Sequence, residues 1–313
     1  MKLVKPNRLK KGDLIGIISP ASSPDDLTRI EKGVQYLESL GYKTEVGKNV
    51  GKYYGYLAGT NEERLEDLHY MFGKKEVKAV ICVRGGYGSP RLLPHINFNL
   101  IKKNPKIFVG YSDITSLQMA FLKKANLVTF AGPMLAVDLY NEVNPYAEEY
   151  FWRALTSPKK IGKIQMPENE ELKIIHQGKA EGPIIGGNLT LFASLFGTGL
   201  LPKAKNSILL LEDIGEVAYR VDRYLVQFVL AGIFEKINGL ILGHFTDCEE
   251  TDPTKKTLTL DEVLDGYLNN LMIPTVSNFS HGHIKNIVTI PFGINVKLNA
   301  DKGFIELTEG AVE

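Results

Sequence analysis

The first half of the chain alternates short apolar runs with segments that begin like helices, and this alternation constrains the fold most. The apolar runs are DLIGIIS, YKTEVG, VKAVICV, KIFVGYS and LVTFAGP. Runs this short suit buried strands. Ser23, Pro24 and Asp26 predict one helix start, and Thr60 with Glu63 predicts a capping box at another. Buried strands that alternate with capped helices predict an α/β fold, with a parallel sheet and helices on both of its faces.

The second half has a different character. Residues 154–182 are polar and rich in lysine, and we interpret them as a linker or crossing segment. Strand-like and helix-like segments follow, and the tail from Pro274 onward is rich in strand patterns. We therefore expect two domains, residues 1–165 and residues 166–313, the second smaller and richer in strands.

Composition and charge exclude several classes of protein. The 313 residues are 44% hydrophobic and 23% charged with a formal net charge of +1, which gives no electrostatic reason to expect nucleic acid or a membrane as partner. Residues 14–18 are too short for a signal-peptide core of about 7–15 residues, and no run approaches the about 20 residues of a membrane span. Cys82 and Cys248 lie in or just after apolar runs, so buried thiols are expected. These features predict a cytoplasmic protein.

Two candidate features follow predicted strands, where functional groups collect in a parallel sheet. The turn RGGYG, Arg84–Gly88, has paired glycines that let backbone N–H groups approach a phosphate or an oxyanion, although a plain tight turn explains it equally. Ser112 follows KIFVGY where a strand meets a helix, as the nucleophile of a hydrolase does. The alternative is that Ser112 caps a helix that begins at Asp113, because Ile114 replaces the second glycine of the esterase pattern G-x-S-x-G.

A strand-end carboxylate is the third feature. The apolar segment SILLLEDIGE ends in Glu212 and Asp213. A buried carboxylate needs a partner. That partner is either a cation such as Arg220 or Arg223, or a catalytic histidine that the carboxylate orients.

Three of the six histidines lie at plausible site positions: His244 after GLILG, and His281 and His283 in the loop FSHGHIK. The H-x-H pair could bind a metal with Asp247 or Glu249, but no established metal motif accompanies it, so we expect no metal. The order Ser, Glu, His favours a serine hydrolase, since chain order varies among triad enzymes. A metal-dependent hydrolase and a non-catalytic module that binds an anion at RGGYG stay open as alternatives.

The motifs as a set carry a family resemblance. The segments YLAGTNEERLEDLH, VRGGYGSPRLLP, VGYSDIT, IIGGNLT, LLLEDIGEVAYRVDR and GHIKNIVTIPFG closely resemble the LD-carboxypeptidase family of serine peptidases, from about Ile15 to Leu298. That family includes muramoyl-tetrapeptide carboxypeptidases of peptidoglycan recycling and microcin C self-immunity peptidases. No long insertion separates GGNLT from Glu212, which favours the recycling type.

The resemblance implies the roles of the site residues. It makes Ser112 the nucleophile, Glu212 rather than Glu216 the acid, and His283 the base, with His281 as its neighbour.

It also implies an oxyanion hole formed by the N–H of Asp113 and of a glycine in RGGYG, with Gly86 favoured over Gly85. Arg84 and Tyr87 are the expected substrate-binding residues, Arg84 as the partner of the terminal carboxylate.

The implied fold is a Rossmann-like N-terminal domain that carries Ser112 and a smaller, β-rich α/β C-terminal domain that carries Glu212 and His283. The implied reaction removes the terminal D-alanine from muramoyl tetrapeptides through an acyl-enzyme. The alternative substrate is a peptidyl- or aminoacyl-nucleotide. No cofactor is implied, and the resemblance suggests a homodimer.

Overall fold

The computed structural model describes residues 3–313, which form two compact units. The first unit contains the chain up to Lys160 together with Val288–Gly293 and Gly310–Glu313, and the second contains Ile161–Ile287 and Ile294–Glu309. The chain thus leaves the first unit after Lys160, close to the boundary expected near residue 165, and two C-terminal segments return to it. The sequence did not predict this return, because the strand within Val288–Gly293 pairs with a strand more than a hundred residues away, and its own residues do not specify that partner.

The strands and helices alternate through much of the chain. The strands are β1 (Leu14–Ile18), β2 (Lys43–Val46), β3 (Val77–Cys82), β4 (Ile107–Gly110), β5 (Thr129–Ala131), β6 (Gly162–Lys163), β7 (Lys173–His176), β8 (Lys179–Asn188), β9 (Ile208–Ile214), β10 (Gly239–Thr246), β11 (Thr275–Ser277), β12 (Ile290–Phe292), β13 (Asn295–Asn299) and β14 (Phe304–Leu307). The helices are α1 (Thr28–Ser39), α2 (Asn61–Gly73), α3 (Phe98–Lys103), α4 (Thr115–Ala125), α5 (Pro145–Thr156), α6 (Leu189–Ala193), α7 (Ala218–Leu230) and α8 (Leu260–Leu268).

The first unit contains a six-stranded sheet in the order β12-β5-β4-β3-β1-β2. The neighbours from β5 to β2 pair in parallel, and β12 joins the β5 edge antiparallel. Strand β4 is buried along its whole length, as expected for a strand covered on both faces. The parallel sheet predicted from the alternating runs is confirmed, and both cysteines are free and buried as predicted.

One of the two predicted helix starts is confirmed. Thr60 and Glu63 form the capping box of α2, with the Glu63 N–H donating to Thr60 Oγ1 at 3.3 Å and the Thr60 N–H to Glu63 Oε2 at 2.9 Å. The other start was wrong, because α1 begins at Thr28. Ser23 instead donates to the Lys52 carbonyl at 2.6 Å, and Asp26 accepts from the Thr28 N–H in a local turn, which delays the helix.

The second unit contains an eight-stranded mixed sheet in the order β6-β14-β13-β8-β9-β10-β11-β7. Strands β8 to β11 pair in parallel, and the flanking strands pair antiparallel. The segment 154–182, predicted as a linker, holds β6, β7 and the start of β8. These strands were not predicted, because they are partly exposed and carry lysines and so lack an apolar run, as peripheral strands often do. Among residues 3–313, no helix combines the length and the apolar character needed to cross a membrane.

Candidate active site

Ser112 has a strained backbone at the end of β4. Its φ of +61° lies in the left-handed region, which side-chain-bearing residues seldom occupy. It opens a short 3-10 turn, Ser112–Ile114, that leads into α4, and neither the turn nor the helix has a side-chain cap. The capping role considered for Ser112 is therefore not observed. A strained serine between a strand and a helix is the backbone arrangement of a nucleophile elbow.

Gly85 lies against Ser112. A Cβ atom added to Gly85 would stand 2.9 Å from the Ser112 Cβ and 3.3 Å from the Asp113 nitrogen, so only glycine fits. Within residues 3–313, the N–H groups of Gly85 and Gly86 donate to no acceptor. The turn expected to supply an oxyanion donor is thus beside the serine, with two free N–H groups.

Ser22 fixes the outer side of this turn. Its hydroxyl accepts from the Tyr87 N–H at 3.1 Å and donates to the Tyr56 carbonyl at 2.6 Å. A Cβ on Gly86 would stand 2.5 Å from the Ser22 Oγ, so this position also requires glycine. The rings of Tyr56 and Tyr87 meet edge to face with centroids 5.2 Å apart, and each residue is more than half exposed. Neither Ser22 nor Tyr56 was predicted as a site residue.

The side chain of Asp113 faces away from solvent and anchors the same turn. Its carboxylate accepts from the Gly88 N–H at 3.2 Å and the Ser89 N–H at 2.7 Å. Burial raises the pKa of Asp113, while these hydrogen bonds and the nearby Arg64 oppose the rise. Asp113 therefore contributes a structural side chain, and its backbone N–H is the group next to Ser112 that fits the oxyanion role.

Arg64 is a buried cation beneath the glycine turn, only 2% exposed. Its Nη1 donates to the carbonyls of Pro20 at 2.6 Å and Gly88 at 2.9 Å, and its Nη2 donates to Asn61 Oδ1 at 2.7 Å. Burying a charge is unfavourable unless hydrogen bonds and an opposite charge compensate it, and Asp113 supplies that charge. The motif YLAGTNEERLEDLH is thus explained as scaffold for RGGYG, a role that the sequence alone did not indicate.

Arg84 keeps unused donors. Its Nη1 reaches the Ser23 carbonyl only at 3.5 Å, and its Nε is buried without a hydrogen-bond partner in the described part of the chain. A guanidinium in this state lacks the bidentate acceptor that suits it best, which is a carboxylate.

In the second unit, Glu212 and His283 form a direct pair. Glu212 is 1% exposed near the end of β9, and its Oε2 lies 2.9 Å from His283 Nδ1. Because a carboxylate only accepts, the fitting imidazole tautomer carries its proton on Nδ1 and leaves Nε2 unprotonated, as a base requires. Glu216 instead lies 3.5 Å from Arg220 on the next helical turn. The structure therefore brings Glu212, not Glu216, to His283.

Two glycines allow this pair to form. Gly282 has a φ of +127°, and a Cβ on it would stand 3.2 Å from Glu212 Oε2. A Cβ on Gly243 would stand 2.3 Å from the carbonyl oxygen of His281, which accepts from the His244 N–H at 2.9 Å. The first histidine of the HGH segment is therefore a buried structural neighbour that joins the loop to β10.

Asp213 faces a different set of partners from Glu212. Its carboxylate accepts from Asn188 Nδ2 at 2.7 Å, from the Thr190 N–H at 3.0 Å and from Thr190 Oγ1 at 2.7 Å. Burial, reinforced by the neighbouring negative charge of Glu212, raises the pKa of Asp213 to about 6. The motif IIGGNLT is thus a structural partner of the strand that carries Glu212.

The possible metal ligands do not assemble. Among residues 3–313, no group of three or more histidine, cysteine, aspartate or glutamate side chains could hold a metal ion. Glu249 accepts from the Leu260 N–H at the start of α8 instead. His244 is half-buried, burial lowers its pKa, and its Nε2 has no partner within that range.

Comparison with protein families finds a match in each of the two units. A model described as the LD-carboxypeptidase N-terminal domain matches residues 15–132, and one described as the LD-carboxypeptidase C-terminal domain matches residues 181–298. A probable murein peptide carboxypeptidase of Bacillus subtilis is 37% identical over 99% of this chain and 96% of its own length. The chain belongs to the LD-carboxypeptidase family. The resemblance inferred from the motifs is confirmed, and the chain is a carboxypeptidase rather than a non-catalytic binding module.

Solved structures of the LD-carboxypeptidase family share the fold. A muramoyltetrapeptide carboxypeptidase from Oxalobacter formigenes is 31% identical, with a TM-score of 0.81 over 95% of this chain and 98% of that one. The microcin C7 self-immunity protein MccF, in complex with aspartyl sulfamoyl adenosine, is 28% identical, with a TM-score of 0.89 over 99% of this chain and 100% of that one. The expected α/β fold with two domains is thereby confirmed.

Proposed function

We propose that this carboxypeptidase releases the terminal D-alanine of muramoyl tetrapeptides in peptidoglycan recycling, with Ser112, His283 and Glu212 as its catalytic triad. The 2.9 Å pair of His283 Nδ1 and Glu212 Oε2 carries the proposal, because a buried carboxylate there orients the imidazole and selects the tautomer whose Nε2 is unprotonated. The strained backbone of Ser112 supports the role of nucleophile. The relatives named murein peptide and muramoyltetrapeptide carboxypeptidases support the substrate class.

The proposed reaction has two stages. His283 Nε2 takes the proton of Ser112 Oγ as the oxygen attacks the carbonyl between the L-centre of the diamino acid and D-alanine. The tetrahedral intermediate collapses, His283 protonates the leaving amine, and D-alanine departs from the acyl-enzyme. Water, deprotonated by His283, then hydrolyses the ester and restores Ser112. Glu212 stabilises the imidazolium in both stages without becoming protonated.

The oxyanion of each tetrahedral intermediate needs preorganised donors. The proposal assigns the N–H of Asp113 and the N–H of Gly86, with Gly85 as the less favoured donor. The unused N–H groups of the glycines and the proximity of Gly85 to Ser112 support this assignment. One such donor typically contributes about 10²–10³ in rate.

Substrate recognition is proposed for two residues of the same turn. Arg84 would bind the terminal carboxylate, which its unpartnered Nε supports. Tyr87 would offer an exposed ring to the body of the substrate, supported by its edge-to-face pairing with Tyr56.

The first test is a Ser112→Ala variant assayed by mass spectrometry for D-alanine release from a muramoyl tetrapeptide. Ser39→Ala, which removes a hydroxyl at the end of α1, is the matched control. We expect no turnover from the first variant and wild-type turnover from the second. Persistent D-alanine release without Ser112 would overturn the assignment.

A second substrate class has its own support. The solved MccF structures include complexes with glutamyl sulfamoyl guanosine and with aspartyl sulfamoyl adenosine, and the chain matches them over nearly its whole length. The alternative function is therefore self-immunity peptidase activity on peptidyl- or aminoacyl-nucleotides. Comparing kcat/KM for a muramoyl tetrapeptide with that for an aminoacyl sulfamoyl adenosine analogue separates the two. A higher value for the nucleotide would reverse the order of the two proposals.

We also propose a cytoplasmic homodimer: the short apolar runs and the two thiols support the location, and the resemblance to the family suggests the dimer. Helix α7 supports a second copy as partner, because it exposes three large apolar residues, Val226, Val229 and Leu230, the last 81% exposed. Sedimentation velocity of the wild type and of Leu230→Glu tests the dimer. A monomeric wild type would exclude it.

A further inference from the structure

The histidine loop, residues 278–286, is held by a segment that the sequence pattern assigned to a linker. The bracing segment, residues 166–171, precedes β7. Three side chains of the loop reach it: Asn278 Nδ2 donates to the Glu171 carbonyl at 2.8 Å, Ser280 Oγ contacts Met166 Sδ at 3.8 Å, and Asn286 Nδ2 donates to Glu170 Oε1 at 3.0 Å. The loop that carries His283 thus depends on contacts more than a hundred residues away along the chain.

Glu170 is the centre of these contacts. Its Oε2 accepts from Ser280 Oγ at 3.4 Å, and its Oε1 accepts from Asn286 Nδ2. Ser280 lies three residues before His283 and Asn286 three residues after it. One carboxylate therefore holds the loop on both sides of His283.

The hydrogen bond to Glu212 alone does not fix the position of His283. It constrains Nδ1, whereas the backbone that carries the ring lies outside any strand or helix and needs its own support. Thr246 Oγ1 donates to the His283 carbonyl at 3.3 Å, and Glu170 provides the two flanking ties. The charge of Glu170 also reaches His244, where it opposes the lowering of that pKa by burial.

We infer that Glu170 is a positioning residue for the catalytic base: it holds the histidine loop so that His283 keeps the orientation set by Glu212. This inference rests on the proposed function, since it assumes that His283 is the base. A catalytic group displaced by about 1 Å can lose about 10²-fold in rate. Loss of the brace should therefore lower kcat while binding of substrate, and with it KM, stays close to that of the wild type.

The experiment compares Glu170→Gln and Glu170→Ala with Glu171→Gln. The control acts on the adjacent, exposed acid, whose contact with the loop runs through its backbone carbonyl and survives the change. We expect Glu171→Gln to match the wild type. Glu170→Gln, which keeps one acceptor oxygen, should lower kcat about tenfold, and Glu170→Ala, which keeps none, should lower it about a hundredfold. KM should stay within about twofold in both.

Two further measurements separate positioning from a general loss of structure. The proton NMR signal of the His283 Nδ1–H should be sharp in the wild type and in Glu171→Gln, and broadened in both Glu170 variants. The decrease in kcat caused by Asn286→Ala should be smaller in the Glu170→Ala background than in the wild type, because the two residues act through one contact.

The outcomes test the proposed function and the positioning role of Glu170 separately. If Ser112→Ala and His283→Ala keep full activity, the proposed function fails. If both lose activity while Glu170→Ala retains wild-type kcat, the inference about Glu170 is wrong and the triad stands. A fall in melting temperature that accounts for the lost kcat, with an unchanged Nδ1–H signal, would also overturn the positioning role.

Discussion

Gly85 approaches Ser112 so closely that a methyl group on the glycine would stand 2.9 Å from the serine Cβ and 3.1 Å from its Oγ. Gly85→Ala must therefore displace either Ser112 or the turn that is proposed to supply an oxyanion donor. We expect kcat to fall about 10²–10³-fold, the typical effect of one lost oxyanion donor. Gly266→Ala in α8, where nothing lies within 4 Å of the added Cβ, is the control and should keep full activity. Wild-type kcat in Gly85→Ala would show that the turn tolerates displacement.

The two acids near the end of β9 should differ sharply. Glu212→Gln removes the charge that selects the Nδ1–H tautomer of His283, and we expect kcat to fall about 10⁴-fold. Glu216→Gln breaks only a surface pair with Arg220, so kcat should stay within about twofold. Steady-state turnover of D-alanine release measures both. Loss of activity confined to Glu216→Gln would move the acid role to Glu216.

Arg64 should matter for stability as well as for activity. Replacement by methionine leaves Asp113 buried without its cation and leaves the carbonyls of Pro20 and Gly88 without a donor. Breaking a buried pair in this way costs about 3–5 kcal/mol. Urea unfolding measures the loss, and Arg91→Met, at an exposed position, should change the free energy of unfolding by less than about 0.5 kcal/mol. An equal effect of both variants would contradict a scaffold role for Arg64.

Asp213 should make the free energy of unfolding depend on pH. Because the fold raises its pKa from 3.8 to about 6, the folded state holds the proton more tightly than the unfolded state does. Its contribution to stability is thus fully present below about pH 4 and is lost as the pH rises through about 6. Asp213→Asn has no proton to lose at this position. Its free energy of unfolding relative to that of the wild type should therefore be up to about 3 kcal/mol higher at pH 7 than at pH 4. Asp261→Asn, an exposed change, should keep the wild-type profile; parallel curves for all three proteins would disprove the assignment.

The proposed role of Arg84 predicts a coupling with the substrate terminus. Arg84→Met should raise KM for a tetrapeptide that ends in a free carboxylate. With an amidated terminus, the wild type and the variant should have the same, higher KM, because the group that Arg84 binds is gone. A KM difference that persists on the amidated peptide would assign Arg84 to another part of the substrate.

The parallel sheet and the pairing of Glu212 with His283 were predictable because each is carried by a local pattern. Buried strands such as β3 and β4 appear as uninterrupted apolar runs, and a family motif surrounds each member of the pair. The supporting residues were not predictable. Ser22, Arg64 and Glu170 act on partners 24 to 116 residues away, and a polar residue has the same appearance in a sequence whether it is solvated or braces a loop.

The antiparallel strand β12 has a consequence for the order of synthesis. It pairs with β5 at the edge of the sheet that leads to Ser112. Gly132, next to β5, leaves room for Thr289, because a Cβ added to Gly132 would stand 2.5 Å from the Thr289 Oγ1. A nascent chain that has emerged only as far as Gly282 already contains Ser112 but lacks β12, so the β5 edge of its sheet is unpaired. We expect the unit that carries Ser112 to finish folding only after β12 has emerged from the ribosome, so that a truncated product ending before Ile290 exposes an unpaired strand and aggregates. Chain termination at Gly282 would thus leave Ser112 on an incompletely paired sheet and without His283, the proposed base, so such a fragment should not hydrolyse the substrate.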